Sequence, residues 1–230
     1  MLKPLLFLFS LIPFASTACK GYYAVDFTDR ATLDQLNCLK TQNYEKIMPR
    51  VSLSNGEVDL NGIQTIKTMQ DGMKNSLFVV GVLTPQVNST DGLVQVYKLM
   101  QAVIGYNIKD LQNIAIQVTR DSASWPTNPS SNVALINSLI SYLKSDYNVQ
   151  ILTTYWDWQV ITGNYQNITG YVPLWYSSVF GAGVTGESPP NYNDFVAFGA
   201  WTKDLVVTKQ FAVGENLCGL SVNRDVKYVC

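Results

Sequence analysis

Carboxyl groups are the main side chains here that could do acid–base chemistry, because the 230 residues include no histidine. That absence excludes Ser-His-Asp and Cys-His nucleophilic catalysis, zinc sites with imidazole ligands and a histidine pH switch. Proton transfers would have to use Asp, Glu, Tyr, Lys or Cys side chains. The first candidate is Asp26, a single acid near the end of the apolar segment 22–27. An aspartate in this position could also serve a turn or the entry to a helix.

Apolar segments alternate with amphipathic segments along the first two thirds of the chain, and these elements must position any site. Strands are predicted at residues 22–27, 47–53, 76–83, 113–119 and 149–154, and helices at 31–41, 61–73, 91–103, 132–143 and 156–163. Units of about thirty residues, each a strand followed by a helix, are typical of a parallel sheet with helical crossovers.

The C-terminal third has a different composition, rich in Gly, Pro, Asn and aromatic residues. Short strands are predicted there at 174–177, 194–198, 205–212 and 220–223. With cysteines near both ends of the chain, the pattern favours an α/β fold, a single-domain irregular (β/α) barrel of the TIM type with a β-rich C-terminal third. Function in such a barrel lies at the carboxyl ends of the strands. The lack of G-x-G-x-x-G and Walker motifs argues against a nucleotide site.

The N-terminus is typical of a secretory signal peptide. Lys3 precedes an apolar stretch over residues 5–14, and Ser16-Thr17-Ala18 supplies small residues at the cleavage positions. We therefore expect a signal peptide at 1–18, a mature domain at 19–230 and an extracellular protein.

Four cysteines follow this segment, namely Cys19, Cys38, Cys218 and Cys230. An even number in a secreted chain predicts two disulfides, whose pairing the spacing leaves open. Asn88 and Asn167 begin N-glycosylation sequons.

The charge is nearly balanced, with 16 basic and 17 acidic residues and a net charge of −1. Without a basic tail or an acidic block, neither nucleic acid nor an anionic membrane is expected as a partner. We expect a monomer without cofactor or metal.

A set of short motifs runs in order along the whole mature chain: residues 21–27, Pro49-Arg50, 59–67, Trp125-Pro126, Trp158-Gln159, 173–175, 210–212 and Cys218-Gly219. Each motif is weak alone, but the ordered set resembles family 25 of the glycoside hydrolases, the Chalaropsis-type lysozymes. The similarity is greatest to the nematode lysozyme-like branch. The resemblance implies an irregular (β/α) barrel that cleaves the β-1,4 bond after N-acetylmuramic acid in peptidoglycan.

In that family the fourth strand carries an Asp-x-Glu motif whose Glu is the general acid, and aspartates of the first and last strands shape the site. Here the motif falls on Gln117 and Thr119, which strand alternation should point into the site, and the final aspartate falls on Asn223. None of these can donate a proton near neutral pH. Loss of the acid alone costs about 10²–10⁴-fold in rate.

Of the expected carboxylates, Asp26 is therefore the one retained. Asp121 lies two residues past Thr119 and is a possible displaced acid, although a loop aspartate is the alternative.

Aromatic residues gather at the predicted strand ends and could stack on sugar rings: Tyr155, Trp156, Trp158, Trp175 and Tyr176. The alternative for each is a place in the core.

The leading hypothesis is a secreted, catalytically impaired lysozyme-like protein. It would bind peptidoglycan or another N-acetylated glycan, with an innate-defence role implied by resemblance. The alternatives are an active muramidase with a displaced acid and a scaffold that binds a protein partner.

Overall fold

Strands and helices alternate through most of the chain in the computed structural model, which describes residues 20–74, 76–168 and 170–229. The strands are Lys20–Phe27 (β1), Tyr44–Ser52 (β2), Phe78–Val79 (β3), Gly81–Leu83 (β4), Asn113–Val118 (β5), Asn148–Thr153 (β6), Leu174–Ser177 (β7), Val206–Leu217 (β8) and Leu220–Val229 (β9). The helices are Leu33–Thr41 (α1), Leu60–Met73 (α2), Leu93–Gly105 (α3), Pro129–Leu143 (α4) and Tyr155–Thr162 (α5).

The strands form a closed barrel in the order β1-β9-β8-β7-β6-β5-β4-β2. Closure comes from β1, which pairs parallel with β2 on one side and antiparallel with β9 on the other. The short strand β3 pairs with β2 just before β4 begins. The predicted single-domain (β/α) barrel with a β-rich C-terminal third is confirmed.

Two hydrophobic layers hold the barrel, because successive side chains of a strand point to opposite faces. The inner layer fills the barrel with Ala24, Met48, Val80, Val82, Ala115, Leu152 and Trp175. The outer layer, which includes Leu36, Ile63, Leu99, Leu139 and Ile161, packs the helices onto the strands.

Helix α5, which follows β6, shows how local sequence sets its ends. Thr154 Oγ1 accepts the backbone N–H of Asp157 at 2.9 Å and caps the N-terminus. Gly163 ends the helix in the left-handed conformation, with φ of 66°. The Thr154 cap fixes the first turn of α5, and with it Tyr155 and Trp156, at the carboxyl end of the barrel.

Three predicted elements of the C-terminal third differ from the structure. The strand expected at 205–212 begins at Val206 and continues to Leu217. Residues 194–198 were expected as a strand but form a loop, because the Asp194 side chain is held by Tyr176, Ser178 and Lys209 instead of the backbone pairing with a neighbour. The last strand was expected to end at Asn223 but continues to Val229, where it pairs with β1.

A disulfide joins Cys38 of α1 to Cys218 in the turn between β8 and β9, across 180 residues of sequence. It ties the first helix to the last hairpin, as expected for a cysteine near each end. The predicted signal peptide at 1–18, Cys19 and Cys230 lie outside the described residues.

The predicted sequon residues Asn88 and Asn167 are exposed in loops. Across the described ranges, no helix has both the length and the apolar character that a bilayer crossing requires. In the same part of the chain, no group of three or more acidic or cysteine side chains is arranged to hold a metal ion.

Candidate functional site

A cavity of about 240 Å³ opens at the carboxyl ends of β1, β2, β4 and β5. We call it the Asp26 cavity. Its walls include four of the predicted site residues, Asp26, Gln117, Asp121 and Asn223, and also Phe27, Thr28, Met48, Arg50, Val82, Thr84 and Ser122. Four of the residues singled out from the sequence therefore lie together on the wall of one cavity.

Asp26 lies on the inner face of β1 and is surrounded by amide donors. Gln210 donates from Nε2 to Asp26 Oδ2 at 2.7 Å, and Asn223 donates from Nδ2 to Oδ1 at 2.9 Å. Asn223 is placed by the antiparallel register, which pairs it directly with Asp26. Both carboxyl oxygens thus receive a hydrogen bond.

A second carboxyl group, Asp225, is hydrogen-bonded to Asp26 from deeper in the barrel. It is fully buried, and its Oδ1 accepts a 2.7 Å hydrogen bond from Trp175 Nε1. Sequence reasoning missed Asp225 and Gln210. The signal was present, because polar Ser221, Asn223, Asp225 and Lys227 alternate with Leu220, Val222 and Val226 beyond the predicted end of the strand.

Burial shifts the titration of both aspartates upward. Burial raises the pKa of Asp26, and the charge of Asp121 adds to the rise. The hydrogen bonds from Gln210, Asp225 and Asn223 lower the pKa but do not outweigh burial. Burial also raises the pKa of Asp225 well above its usual range, and the neighbouring Asp26 raises it further.

The titrations of the two carboxyl groups are therefore coupled, and Asp225, whose pKa is raised more strongly, keeps its proton to higher pH than Asp26 does. Asp225 Oδ2 accepts no hydrogen bond from any described N–H or O–H group.

Gln117 and Thr119, where the family has its Asp-x-Glu motif, lie in different environments. Gln117 lines the Asp26 cavity, and its Oε1 accepts a 3.0 Å hydrogen bond from Thr84 Oγ1. Thr119 follows the end of β5 and is buried. It is not among the lining residues, and its Oγ1 has no partner among the described residues. The structure thus brings Gln117 but not Thr119 to the cavity wall.

The geometry limits what the carboxyl groups can do together. Paired glycosidase acids flank the scissile bond at about 5–9.5 Å. Asp26 and Asp225 are in direct hydrogen-bond contact, so they cannot lie on either side of a sugar linkage. Among the described residues, Asp121 is the other carboxyl on the cavity wall, and its side chain is exposed.

A larger cavity of about 510 Å³ lies beside the first, at the ends of β5, β6 and β7. We call it the aromatic cavity. Its walls include Tyr155, Trp156, Tyr176, Phe195 and Phe198, along with Arg120, Asp157 and Asp194. Arg120 lines the aromatic cavity and the next residue, Asp121, lines the Asp26 cavity, so the loop after β5 separates the two.

Two of the five predicted sugar-stacking residues are unsuited to that role. Trp158 and Trp175 are fully buried and have no face open to a ligand. Trp158 packs on Trp201 with ring centroids 4.7 Å apart, and Trp175 lies in the inner barrel layer. The prediction was wrong for these two because both indole N–H groups donate inside the fold, from Trp158 to the carbonyl of Tyr165 and from Trp175 to the buried Asp225.

The other three aromatic residues line the aromatic cavity. Trp156 is 66% exposed, whereas Tyr176 is almost fully buried. Tyr155 packs edge-on against Trp156, with centroids 5.2 Å apart. Trp156 is therefore the residue with a ring face open to solvent in this group.

Asp194 anchors the loop that closes the aromatic cavity. Its Oδ1 accepts from Tyr176 Oη at 2.8 Å, and its Oδ2 accepts from Ser178 at 2.8 Å and from Lys209 Nζ at 2.7 Å. Burial pushes the pKa of Asp194 upward, but the hydrogen bonds from Lys209, Tyr176 and Ser178 outweigh it and hold the pKa below its usual value.

Comparison with solved structures shows a shared fold. A muramidase from Trichobolus zukalii superimposes with a TM-score of 0.65 at 13% identity, over 89% of this chain and 92% of that one. A family 25 glycosyl hydrolase from Bacillus anthracis gives 0.63 at 16% identity, over 90% and 88%. The autolysin LytC from Streptococcus pneumoniae, solved with a synthetic peptidoglycan ligand, gives 0.66 at 15% identity, over 90% of this chain and 46% of LytC.

Sequence comparison shows the family. The model of a family described as Lysozyme-like protein 1 matches residues 17–211. Lysozyme-like protein 7 of Caenorhabditis elegans is 39% identical over 206 residues, which cover 89% of this chain and 71% of that protein. A probable family 25 lysozyme of Dictyostelium discoideum is 27% identical over 203 residues, covering 87% and 88%. The chain therefore belongs to the lysozyme-like protein family, in the nematode lysozyme-like branch of glycoside hydrolase family 25.

Proposed function

We propose that this protein binds peptidoglycan or another N-acetylated glycan and does not hydrolyse it efficiently. The observation that carries the proposal is the hydrogen-bonded pair of Asp26 and Asp225, which occupies one side of the site. The wall residue contributed by β5 is the amide Gln117, which cannot protonate a leaving oxygen. The site thus keeps a polar cavity, but its Asp26–Asp225 pair cannot flank a bond.

Retained glycan binding is supported by the cavities. The Asp26 cavity offers amides and hydroxyls that can hydrogen-bond acetamido groups, and the aromatic cavity beside it offers the face of Trp156. Its relative in fold, LytC, was solved with a peptidoglycan ligand.

Suspensions of bacterial cell walls test the catalytic part of the proposal. Wild-type protein is expected to clear them no faster than the Asp26→Asn variant, while an active family 25 lysozyme serves as the positive control. Turbidity loss by wild type that Asp26→Asn abolishes would overturn the proposal of impaired hydrolysis.

Retention on insoluble peptidoglycan tests the binding part. Trp156→Ala should weaken retention by about fivefold to tenfold, because truncation of a central aromatic contact costs more than about 1 kcal/mol. Tyr171→Ala is the matched control, since Tyr171 is 68% exposed and does not line either cavity. If wild type is not retained, the glycan is the wrong ligand, and a protein partner at this face becomes the better hypothesis.

A second candidate is an active muramidase that uses Asp121 as a displaced acid. It is favoured by one observation, that Asp121 and Asp26 share a cavity wall closely enough for the charge of Asp121 to raise the pKa of Asp26. This candidate predicts clearing that is lost in both Asp26→Asn and Asp121→Asn.

The proposal extends to location and role. The signal-like residues 1–18, the Cys38–Cys218 disulfide and the exposed sequon residues Asn88 and Asn167 support a secreted, glycosylated protein. An innate-defence role and a monomeric state are part of the same proposal. Immunoblots of culture medium and cells, with and without residues 2–18, test secretion.

A further inference from the structure

A third cavity, of about 610 Å³, lies at the opposite, amino end of the barrel. Its wall includes Lys46, Gln150 and Lys227 on the inner faces of the strands, together with Val80, Val149 and Pro173. The inner hydrophobic layer with Met48, Leu152 and Trp175 separates it from the Asp26 cavity. It is therefore a separate compartment of the barrel.

The amino end of such a barrel usually serves stability, and polar groups buried there are normally paired. Gln150 departs from this rule. Its side chain lines the cavity with only 9% of the residue exposed, and Nε2 has no hydrogen-bond partner among the described residues. A buried, unpaired N–H₂ group costs about 1–3 kcal/mol unless something accepts its hydrogen bonds.

Lys46 also lacks a partner. It is partly buried on the inner face of β2, and no carboxylate of the described residues lies within ion-pair distance of Nζ. Burial and the neighbouring Lys227 lower the pKa of Lys46 to about 8, and Asp225 opposes the shift. At pH 7 the ammonium thus remains mostly charged, without a paired anion.

The charged residues of the cavity wall indicate the sign of the charge that a ligand would carry. Among the charged residues that line this cavity, Lys46 and Lys227 outnumber Glu45, so the wall carries a net positive charge. The rest of the wall is largely apolar, with Val80, Val149, Pro173 and Val207 among the lining residues. The volume lies in the range of about 300–1,000 Å³ typical of sites for small organic molecules.

We propose that the amino-end cavity binds a small amphipathic organic anion. Lys46, Lys227 and the Gln150 N–H₂ group hold its charged end, and the valines and Pro173 pack against its apolar part. A carboxylate and a phosphate monoester share this chemistry. The site is distinct from the proposed glycan site and does not depend on it.

Displacement of the fluorescent anion anilinonaphthalenesulfonate from the purified full-length mature protein tests the proposal. Octanoate and octyl phosphate are the two anionic competitors, and octanol is the neutral control of equal chain length. At least one anion is expected to displace the dye at a single saturable site at pH 7, and octanol is expected to bind at least about tenfold more weakly, because it cannot form a charge-assisted hydrogen bond. The anion that displaces the dye at the lower concentration shows whether the site prefers a carboxylate or a phosphate head group.

Three variants localise the binding. Lys46→Met should lower the affinity for the more tightly bound of the two anions by about tenfold or more, and Gln150→Leu should lower it by about threefold to tenfold. Lys203→Met is the matched control, because Lys203 is exposed and does not line the cavity, and it should leave affinity unchanged. Gln150→Leu should also keep wild-type retention on peptidoglycan, which separates this site from the glycan site. Lys227→Met, at the exposed rim, repeats the charge test if Lys46→Met does not fold.

The proposal is wrong if neither anion displaces the dye in a saturable manner. It is also wrong if octanol competes as well as the anions do, or if wild-type affinity persists in both Lys46→Met and Lys227→Met.

Discussion

Replacing Asp225 by alanine is expected to lower the free energy of unfolding by about 2–4 kcal/mol. The change leaves the Trp175 indole N–H without its acceptor inside the barrel and removes one donor to Asp26. It also opens a void in a layer where neighbouring side chains are fully buried. Asp225→Asn retains an acceptor for Trp175 and a donor for Asp26, so it should be much less destabilising.

The pH dependence of the Asp225→Asn variant reports the protonation of the pair. Because the folded-state pKa of Asp225 is raised above 3.8, the folded protein binds more protons than the unfolded chain between the two pKa values. The stability that Asp225 contributes is therefore fully present below about pH 4 and falls as pH rises toward the folded-state pKa. Asp225→Asn removes this titration, so its stability relative to wild type should increase as pH rises from 4 to 7.

Urea unfolding of wild type, Asp225→Asn and Asp225→Ala at several pH values measures both effects. The assignment of the proton to Asp225 would be wrong if Asp225→Asn became steadily less stable than wild type with rising pH. That result would indicate an ionised Asp225 in the folded protein.

Lys209→Met is expected to lower the free energy of unfolding by about 3 kcal/mol, near the lower end for the removal of one partner from a buried ion pair. The Lys209 side chain is completely buried, and Nζ donates to Asp194 Oδ2 at 2.7 Å and to the carbonyl of Pro189 at 2.8 Å. Asp194 is one-third exposed and keeps Tyr176 and Ser178 as donors, which limits the loss.

A double-mutant cycle of Lys209→Met and Asp194→Asn measures the interaction energy between these two side chains, apart from their contacts with other residues. Lys209→Met with Asp194→Asn should cost less than the sum of the single changes, because no unpaired charge remains. Since Asp194 anchors the wall of the aromatic cavity, Lys209→Met should also reduce retention on peptidoglycan. Additive losses of stability would show that the two side chains do not interact, contrary to the structure.

The alternation of strands and helices in the first two thirds was predictable because each segment carries its own periodicity. Helix α2 and strand β7 agree with their predicted ranges to within one residue at each end. The loop at 194–198 was not predictable in this way. Within this loop Phe195 packs on Phe198, and it also packs on Tyr176 of β7, a contact that only the assembled barrel provides.

The candidate site was predictable where a residue contributes through its own strand, as for Asp26 and Gln117. Asp225 was missed because its role depends on antiparallel pairing between the first and last strands, which places it beside Ala24 and one step below Asp26. Trp158 and Trp175 were misassigned for a related reason. Both lie near strand ends in sequence, and only the three-dimensional contacts show that their rings point into packed layers.

The position of β1 between β2 and β9 has a consequence for the order in which the protein is made. The barrel cannot close until residues 220–229 have been synthesised, because β9 supplies one whole side of the pairing of β1. Asp26 emerges from the ribosome among the earliest residues of the barrel, yet Gln210, Asn223 and Asp225 are among the last. A growing chain therefore carries the acid long before it carries the groups that set its protonation. Any product truncated before residue 220 lacks the closing strand and, with it, the Asn223 and Asp225 side chains of the site.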